Sequence, residues 1–159
     1  MPSPRLVFAA LLAAASFVQA TPAPGDGAPA NARVHFIGIK DGDVLPPTVT
    51  LRFGVEGMKV RSAAEDPFDR SSGHHHLLID LPAVPKGQVI PFDERHVHYG
   101  KGQTEATVTL APGPHTLTLQ FADGAHGSYG PQLSASVRVT VEAAKPAETD
   151  KKPAKAGAK

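Results

Sequence analysis

The residues in this chain that can do chemistry are its histidines. There are eight, and all but His35 fall between positions 74 and 126. Gly73-His74-His75-His76-Leu77-Leu78-Ile79-Asp80 carries three in a row at the entrance of an apolar segment. In a strand, His74 and His76 share a face with Leu78 and Asp80, while His75 lies with Leu77 and Ile79. His96-Val97-His98 is a second pair at i, i+2, with both rings on one side. Two such pairs on adjacent strands would bring four imidazoles within reach of one ion. Imidazole is the commonest ligand of zinc and copper, and an all-imidazole set favours Cu(II) or Zn(II) over Mg or Ca. His126, after the Asp123-Gly124 turn, is a candidate to complete the shell, as is His115. Asp80 or Glu105 are candidate outer partners that would orient a ring. The expected metal residues are thus His74, His76, His96, His98, His126 and His115, around a copper or zinc ion.

Plainer readings stand beside this one. Consecutive histidines at a strand end can be a solvated turn, and a single inward histidine is more often a hydrogen-bonded core residue than a ligand. His115 fits the second description, since it follows Pro112-Gly113-Pro114 and has the parity of Leu117 and Leu119. His35, opposite in parity to Val34 and Phe36, is expected on the surface.

Other chemistries are excluded. The chain has no cysteine, which removes disulfides, thiolate metal sites and Cys nucleophiles. There is no H-E-x-x-H helix, G-x-S-x-G elbow, P-loop or G-x-G-x-x-G. Ser71, Ser72, His74 and Asp80 lie near one another in sequence, but nothing positions an oxyanion hole. Asp66 with Asp69, and Asp93 with Glu94, lack the spaced oxygens of a calcium loop. A copper site on the terminal amine fails because the expected mature chain starts at Thr21. The protein is expected not to be an enzyme, with a metal hydrolase as the one catalytic class that fits.

The elements that must position these residues are strands. In Thr48–Glu56, Val49, Leu51, Phe53 and Val55 alternate with polar residues; Thr104–Leu110, His115–Phe121 and Leu133–Val141 repeat the pattern. Arg33–Ile39 and His75–Leu81 are apolar enough to be strands. Turn residues separate them at Asp41-Gly42-Asp43, Val44–Pro47, Ala111–Pro114 and Asp123-Gly124. No segment sustains a 3.6 period. About seven short strands over residues 33–142 predict an all-β, immunoglobulin-like two-sheet sandwich, with a small barrel as the alternative.

The flanks read differently. Arg5 followed by the apolar run Leu6–Val18 and the small-residue pattern Val18-Gln19-Ala20 reads as a secretory signal peptide over residues 1–20. Its apolar run is short for a bilayer span, so no membrane span is expected after cleavage, and the location expected is periplasmic or secreted. Residues 21–32, rich in Pro, Ala and Gly, read as a disordered linker, and residues 143–159 as a flexible Lys/Ala/Pro tail. The whole chain has 16 Lys+Arg against 15 Asp+Glu. Residues 33–142 hold 10 basic and 12 acidic residues, net −2, and the tail 5 and 2, net +3. A balance this close to zero argues against nucleic acid as partner; the tail suits anionic envelope polymers.

The strings G-H-H-H-L-L-I-D (Gly73–Asp80), H-V-H-Y-G-K-G-Q-T-E (His96–Glu105) and P-G-P-H-T-L-T-L-Q-F-A-D-G-A-H (Pro112–His126) resemble a family of small bacterial exported proteins, known as domain of unknown function number 4399. The resemblance spans about residues 34–141. It implies an envelope location and a shared histidine set, and it implies no activity. Two functions follow as expectations. One is an exported metal-binding module acting as carrier, buffer or sensor, whose binding weakens below pH ~6 as imidazoles protonate. The other is a non-catalytic envelope module that meets a protein or glycan partner through its His-rich end.

Overall fold

The alternation in Thr48–Glu56 produces a strand with those bounds, β3, in a computed structural model that describes residues 27–143 except Asp66 and Phe68. The expected signal peptide, most of the linker, almost all of the tail and Asp66 of the Asp66/Asp69 pair lie outside the described residues. Leu51 and Phe53 of β3 are buried, while Thr48, Thr50 and Arg52 are exposed. The exposed threonines pair with the next strand, Thr48 with Thr109 at 3.1 Å and Thr50 with Thr107 at 3.0 Å. Around β3 lie β1 (Arg33–Ile37) and β7 (Glu105–Thr109), which complete a three-stranded sheet in the order β1-β3-β7.

The second sheet runs β2 (Val44–Leu45), β9 (Ser134–Val141), β8 (Gly113–Ala122), β5 (Ser72–Ile79), with β4 (Lys59–Val60) and β6 (His96–Tyr99) both along the far edge of β5. The two sheets pack face to face over Leu51, Phe53, Leu77, Leu117, Leu119, Phe121, Val139 and Val141, all buried. The result is the two-sheet all-β sandwich predicted from the alternation. Among the described residues no helix is long and apolar enough to cross a membrane. Within the segment read as a linker, Ala28 and Ala32 pack against the core.

The boundaries of β5 differ from the prediction of His75–Leu81. The strand begins at Ser72 and ends at Ile79, so the three histidines lie inside it and not at its entrance. Its end is set by Asp80, which takes a positive φ of 55° and whose Oδ1 accepts the Thr116 amide at 2.8 Å. Its start is set by Gly73. A Cβ there would lie 2.2 Å from the Ala122 carbonyl oxygen and 2.8 Å from the Phe121 ring.

β5 and β8 are buried on both faces. The outer face is covered by the loops 80–95 and 123–130. Gln120, on that outer face, fastens the first loop as a sheet neighbour would: its Oε1 accepts the Val84 amide at 2.8 Å and its Nε2 donates to the Val84 carbonyl at 2.9 Å. Ser128 of the second loop receives a further Gln120 hydrogen bond at 2.7 Å and donates to the Val84 carbonyl. This covered outer layer holds the histidines.

Candidate metal centre

Because side chains alternate on β5, His75 turns inward between Phe53 and Phe121, with ring centroids 5.5 and 5.0 Å away, and His74 and His76 turn to the outer layer. β6 runs antiparallel to β5 with His98 opposite His76, Tyr99 opposite His75 and His96 opposite Leu78. The register therefore brings one ring of the His96/His98 pair to the cluster and carries the other two residues beyond it. Continued by one residue, the same register sets Gly100 beside His74. The missing side chain makes room there: a Cβ on Gly100 would lie 2.2 Å from Cε1 and Nε2 of His98.

The fourth ring comes from the turn after β8. Asp123 accepts hydrogen bonds from the amides of Ala125 (3.0 Å) and Gly127 (2.8 Å), and the His126 amide donates to the Asp123 carbonyl at 2.9 Å. Arg70 pairs with the Asp123 carboxylate from outside. This tight turn holds His126 at φ 65°, a left-handed conformation uncommon for a residue with a side chain. It delivers the ring onto His74, with Nδ1 of His126 3.2 Å from Nε2 of His74.

His74, His76, His98 and His126 thus converge, each offering a nitrogen, and these four nitrogens lie within 4.8 Å of one another. Nε2 of His76 is 3.0 Å from Nε2 of His74. Four nitrogens bound tetrahedrally at ~2.0–2.1 Å from one ion are about 3.3 Å apart, so closing the set takes only small ring movements. His74 and His76 are completely buried; His98 and His126 are half-buried and line an adjoining cavity of about 470 Å³. The Phe92 ring, itself 60% exposed, stands 5.0 Å from both the His98 and the His126 ring.

Burial disfavours the protonated form of His74, His76 and His98. It pushes His76 down to about 2 and His74 to about 3, with the neighbouring imidazoles adding to the shift, and it lowers His98 as well. In the folded protein His74 and His76 present lone pairs well below pH 6. The proton competition expected near pH ~6 for free imidazoles is displaced to lower pH at His74 and His76. Nδ1 of His74 and of His76 have no partner among the described residues. The strand and its covering loops, and not outer hydrogen bonds, orient these two rings.

Two of the six expected metal residues lie elsewhere. His96 turns back onto its own loop, with Nδ1 2.9 Å from both carboxylate oxygens of Asp93. His115 sits at the opposite end of β8, where Nδ1 meets Asp80 at 2.9 Å and Nε2 meets the Ala111 carbonyl at 2.8 Å. Both of its nitrogens are engaged by acceptors, which leaves no lone pair for a metal. The expected outer partners are likewise committed elsewhere: Asp80 to His115 and Thr116, and Glu105 to Arg52 at 3.4 Å. His35 is partly exposed beside Glu56, as its parity predicts. Sequence reasoning missed the aromatic neighbour Phe92 and the space provided by Gly100.

A family described as Domain of unknown function (DUF4399) matches residues 51–142. The chain belongs to this family. The matched region begins within β3 and takes in β5, β6 and the turn after β8, so all four converging histidines of the DUF4399 domain fall inside it. No curated protein matches the chain in sequence. Among solved structures, the chain is similar to fibronectin(III)-like modules of Clostridium thermocellum CbhA, at 14% identity and a TM-score of 0.40, over 70% of this chain and 99% of that one. It is also similar to the PKD domain of human KIAA0319, at 14% identity and a TM-score of 0.37, over 83% of this chain and 96% of that one.

Proposed function

We propose that this protein is an exported metal-binding module that holds one copper or zinc ion through His74, His76, His98 and His126. The observation that carries the reading is the convergence of four imidazole nitrogens within 4.8 Å, with no carboxylate or backbone group among them. Without an ion, the arrangement is costly. Nε2 of His76 and Nδ1 of His126 both turn onto Nε2 of His74, while Nδ1 of His74, Nδ1 of His76 and Nε2 of His98 are buried with no partner among the described residues, at about 1–3 kcal/mol apiece. A borderline divalent cation at the centre uses the lone pairs together, and the donor set suits Cu(II) or Zn(II). The role is non-catalytic carriage, buffering or sensing, and the signal-like first twenty residues support a periplasmic setting.

A second reading, contact with an envelope protein or polymer through the same end, is favoured by exposed Val89 and Phe92 next to the cluster. A carrier would use such a face when handing on its ion.

Calorimetric titration of the metal-free protein with Cu(II) and Zn(II) at pH 7.5 tests the proposal. One-to-one binding tighter than about micromolar, lost in His74→Ala and His76→Ala with the fold retained, is the expected result. Weak, non-stoichiometric heats unaffected by these substitutions would return the cluster to a structural or partner-facing role.

A further inference from the structure

The cluster is not enclosed evenly. His74 and His76 are sealed between β5 and its covering loops, whereas His98 and His126 form part of the wall of the 470 Å³ cavity. The rest of that wall comes from Ser62, Ala63 and Ala64 on one side and from Gly100, Lys101 and Gln103 on the other. A cavity of this size is in the range of small-ligand pockets.

Its polar groups are of one kind. Lys101 has no carboxylate partner among the described residues. The Gln103 side chain uses its Oε1 to accept the Lys101 amide at 2.8 Å, which leaves its NH₂ to donate. The Ser62 hydroxyl accepts the Ala64 amide at 3.3 Å and keeps its own proton to give. No acidic side chain is among the described residues that line it. A cation, an amide and a hydroxyl therefore surround a space that ends on two imidazoles of the cluster.

We propose that this cavity is a second-ligand site, which admits a small carboxylate to the open side of the bound ion. One carboxylate oxygen would meet the ion beside His98 and His126, and Lys101, with Gln103 and Ser62, would receive the rest of the anion. The inference rests on the metal reading above and adds to it that the four imidazoles, which close a tetrahedral shell around Zn(II), leave Cu(II) a fifth position toward the cavity. A site built only to bury an ion would be closed on all sides, whereas one left open on a donor-lined cavity can take up or release its ion together with an anion.

The test uses the full protein loaded with Cu(II), with azide as probe anion and acetate as competitor. The expected result is a saturable azide-to-copper charge-transfer band and an altered electron paramagnetic resonance spectrum, both reversed by acetate. Lys101→Ala is expected to weaken azide and acetate binding about threefold while leaving copper affinity measured without added anion unchanged. A copper-loaded protein whose spectra ignore saturating azide overturns the inference and leaves the metal site standing. An azide response that acetate cannot reverse, or that Lys101→Ala leaves unchanged, overturns the assignment of the cavity as the carboxylate site. Failure to load copper or zinc at all overturns the metal reading, and this inference with it.

Discussion

The ring of His98 lies where Gly100, the first residue past β6, would carry a side chain; a Cβ there would meet Cε1 and Nε2 of His98 at 2.2 Å. Gly100 thus acts on the cluster although it offers no ligand atom. Gly100→Ala is expected to swing the His98 ring away, leave the thermal midpoint within a few degrees of wild type, and weaken Zn(II) or Cu(II) binding about ten- to a hundredfold. Calorimetry and a melting curve on the same sample check both halves of this expectation. Unchanged affinity would show that His98 is not a ligand.

The two stray histidines provide the matching control. His96→Ala and His115→Ala remove rings that sit on Asp93 and on Asp80, so stoichiometry and metal affinity should stay within about twofold of wild type. A loss in His96→Ala comparable to that in His76→Ala would mean that β6 pairs with β5 in a different register in solution.

Acid should weaken the metal-free fold. Burial pushes His75 down to about 4, His74 to about 3 and His76 to about 2, against ~6.5 in an unfolded chain. Below pH ~6.5 the unfolded state binds protons that the folded state refuses, so stability falls as pH drops, by up to about 1.4 kcal/mol per pH unit for each ring. Urea midpoints at pH 7.5, 6.5 and 5.5 should fall progressively. His75 contributes here without belonging to the cluster, since both of its nitrogens are unpartnered in the apolar core. His75→Leu should therefore raise stability at pH 7 by about 1–2 kcal/mol and shallow the acid slope by one proton. A destabilised variant with an unchanged slope would refute this account of His75.

His115 should show the opposite sign. Burial lowers its affinity for a proton, but the hydrogen bonds to Asp80 and the Ala111 carbonyl, with the Asp80 charge, outweigh this and raise the ring above its usual value. A raised folded pKa gives stability that is fully present below ~6.5 and is lost as pH rises through the folded value. Histidine NMR titration should find one ring that keeps its proton above pH 6.5, and Asp80→Asn should bring it down to the ordinary range. A His115 that titrates normally would contradict the pairing.

Gln120 ties the covering loop to the sheet through Val84 and Ser128. Gln120→Leu keeps the volume but leaves the Val84 amide and carbonyl without that partner, at a cost of about 2–4 kcal/mol. Hydrogen exchange should show the Val84 amide losing its protection while the Leu117 and Leu119 amides keep theirs. If metal affinity falls as well, the loop helps hold the rings; an unprotected Val84 in the wild type would refute the clamp.

Legibility followed solvent. β3 could be read residue for residue because one of its faces is wet and its threonines and arginine mark that face. In β5 and β8 the outer face is covered too, so Leu78 and Ala122 give no polar signal and the bounds drift by one to three residues. His74 and His76 follow from strand parity alone. His96 was expected beside them because the pairing register decides which member of an i, i+2 pair meets the neighbouring strand, and register is not written in spacing. A signal was present in Asp93-Glu94-Arg95-His96: the Asp93 carboxylate receives the amides of Arg95 and His96 at 2.9 and 3.0 Å, an Asx turn that claims the ring as well. His115 shows the limit of parity, since what commits it is Asp80, 35 residues away in sequence.

The chemistry of β5 has an unusual symmetry. Its interior reads His-His-His-Leu-Leu, and sliding it one residue past β8 would exchange His75 for His76 and Leu77 for Leu78 at the faces they occupy. Most strands announce such a slip by putting charge into oil; this one would trade like for like across most of its length. Alignment must therefore come from the two ends. Gly73 tolerates no Cβ against the Ala122 carbonyl, and Asp80 reaches the Thr116 amide and His115 in one frame only. These two residues serve the strand as reading-frame marks. A change at either should yield a mixture of two pairings, visible as doubled amide resonances along β5 and β8, and not a single weakened fold.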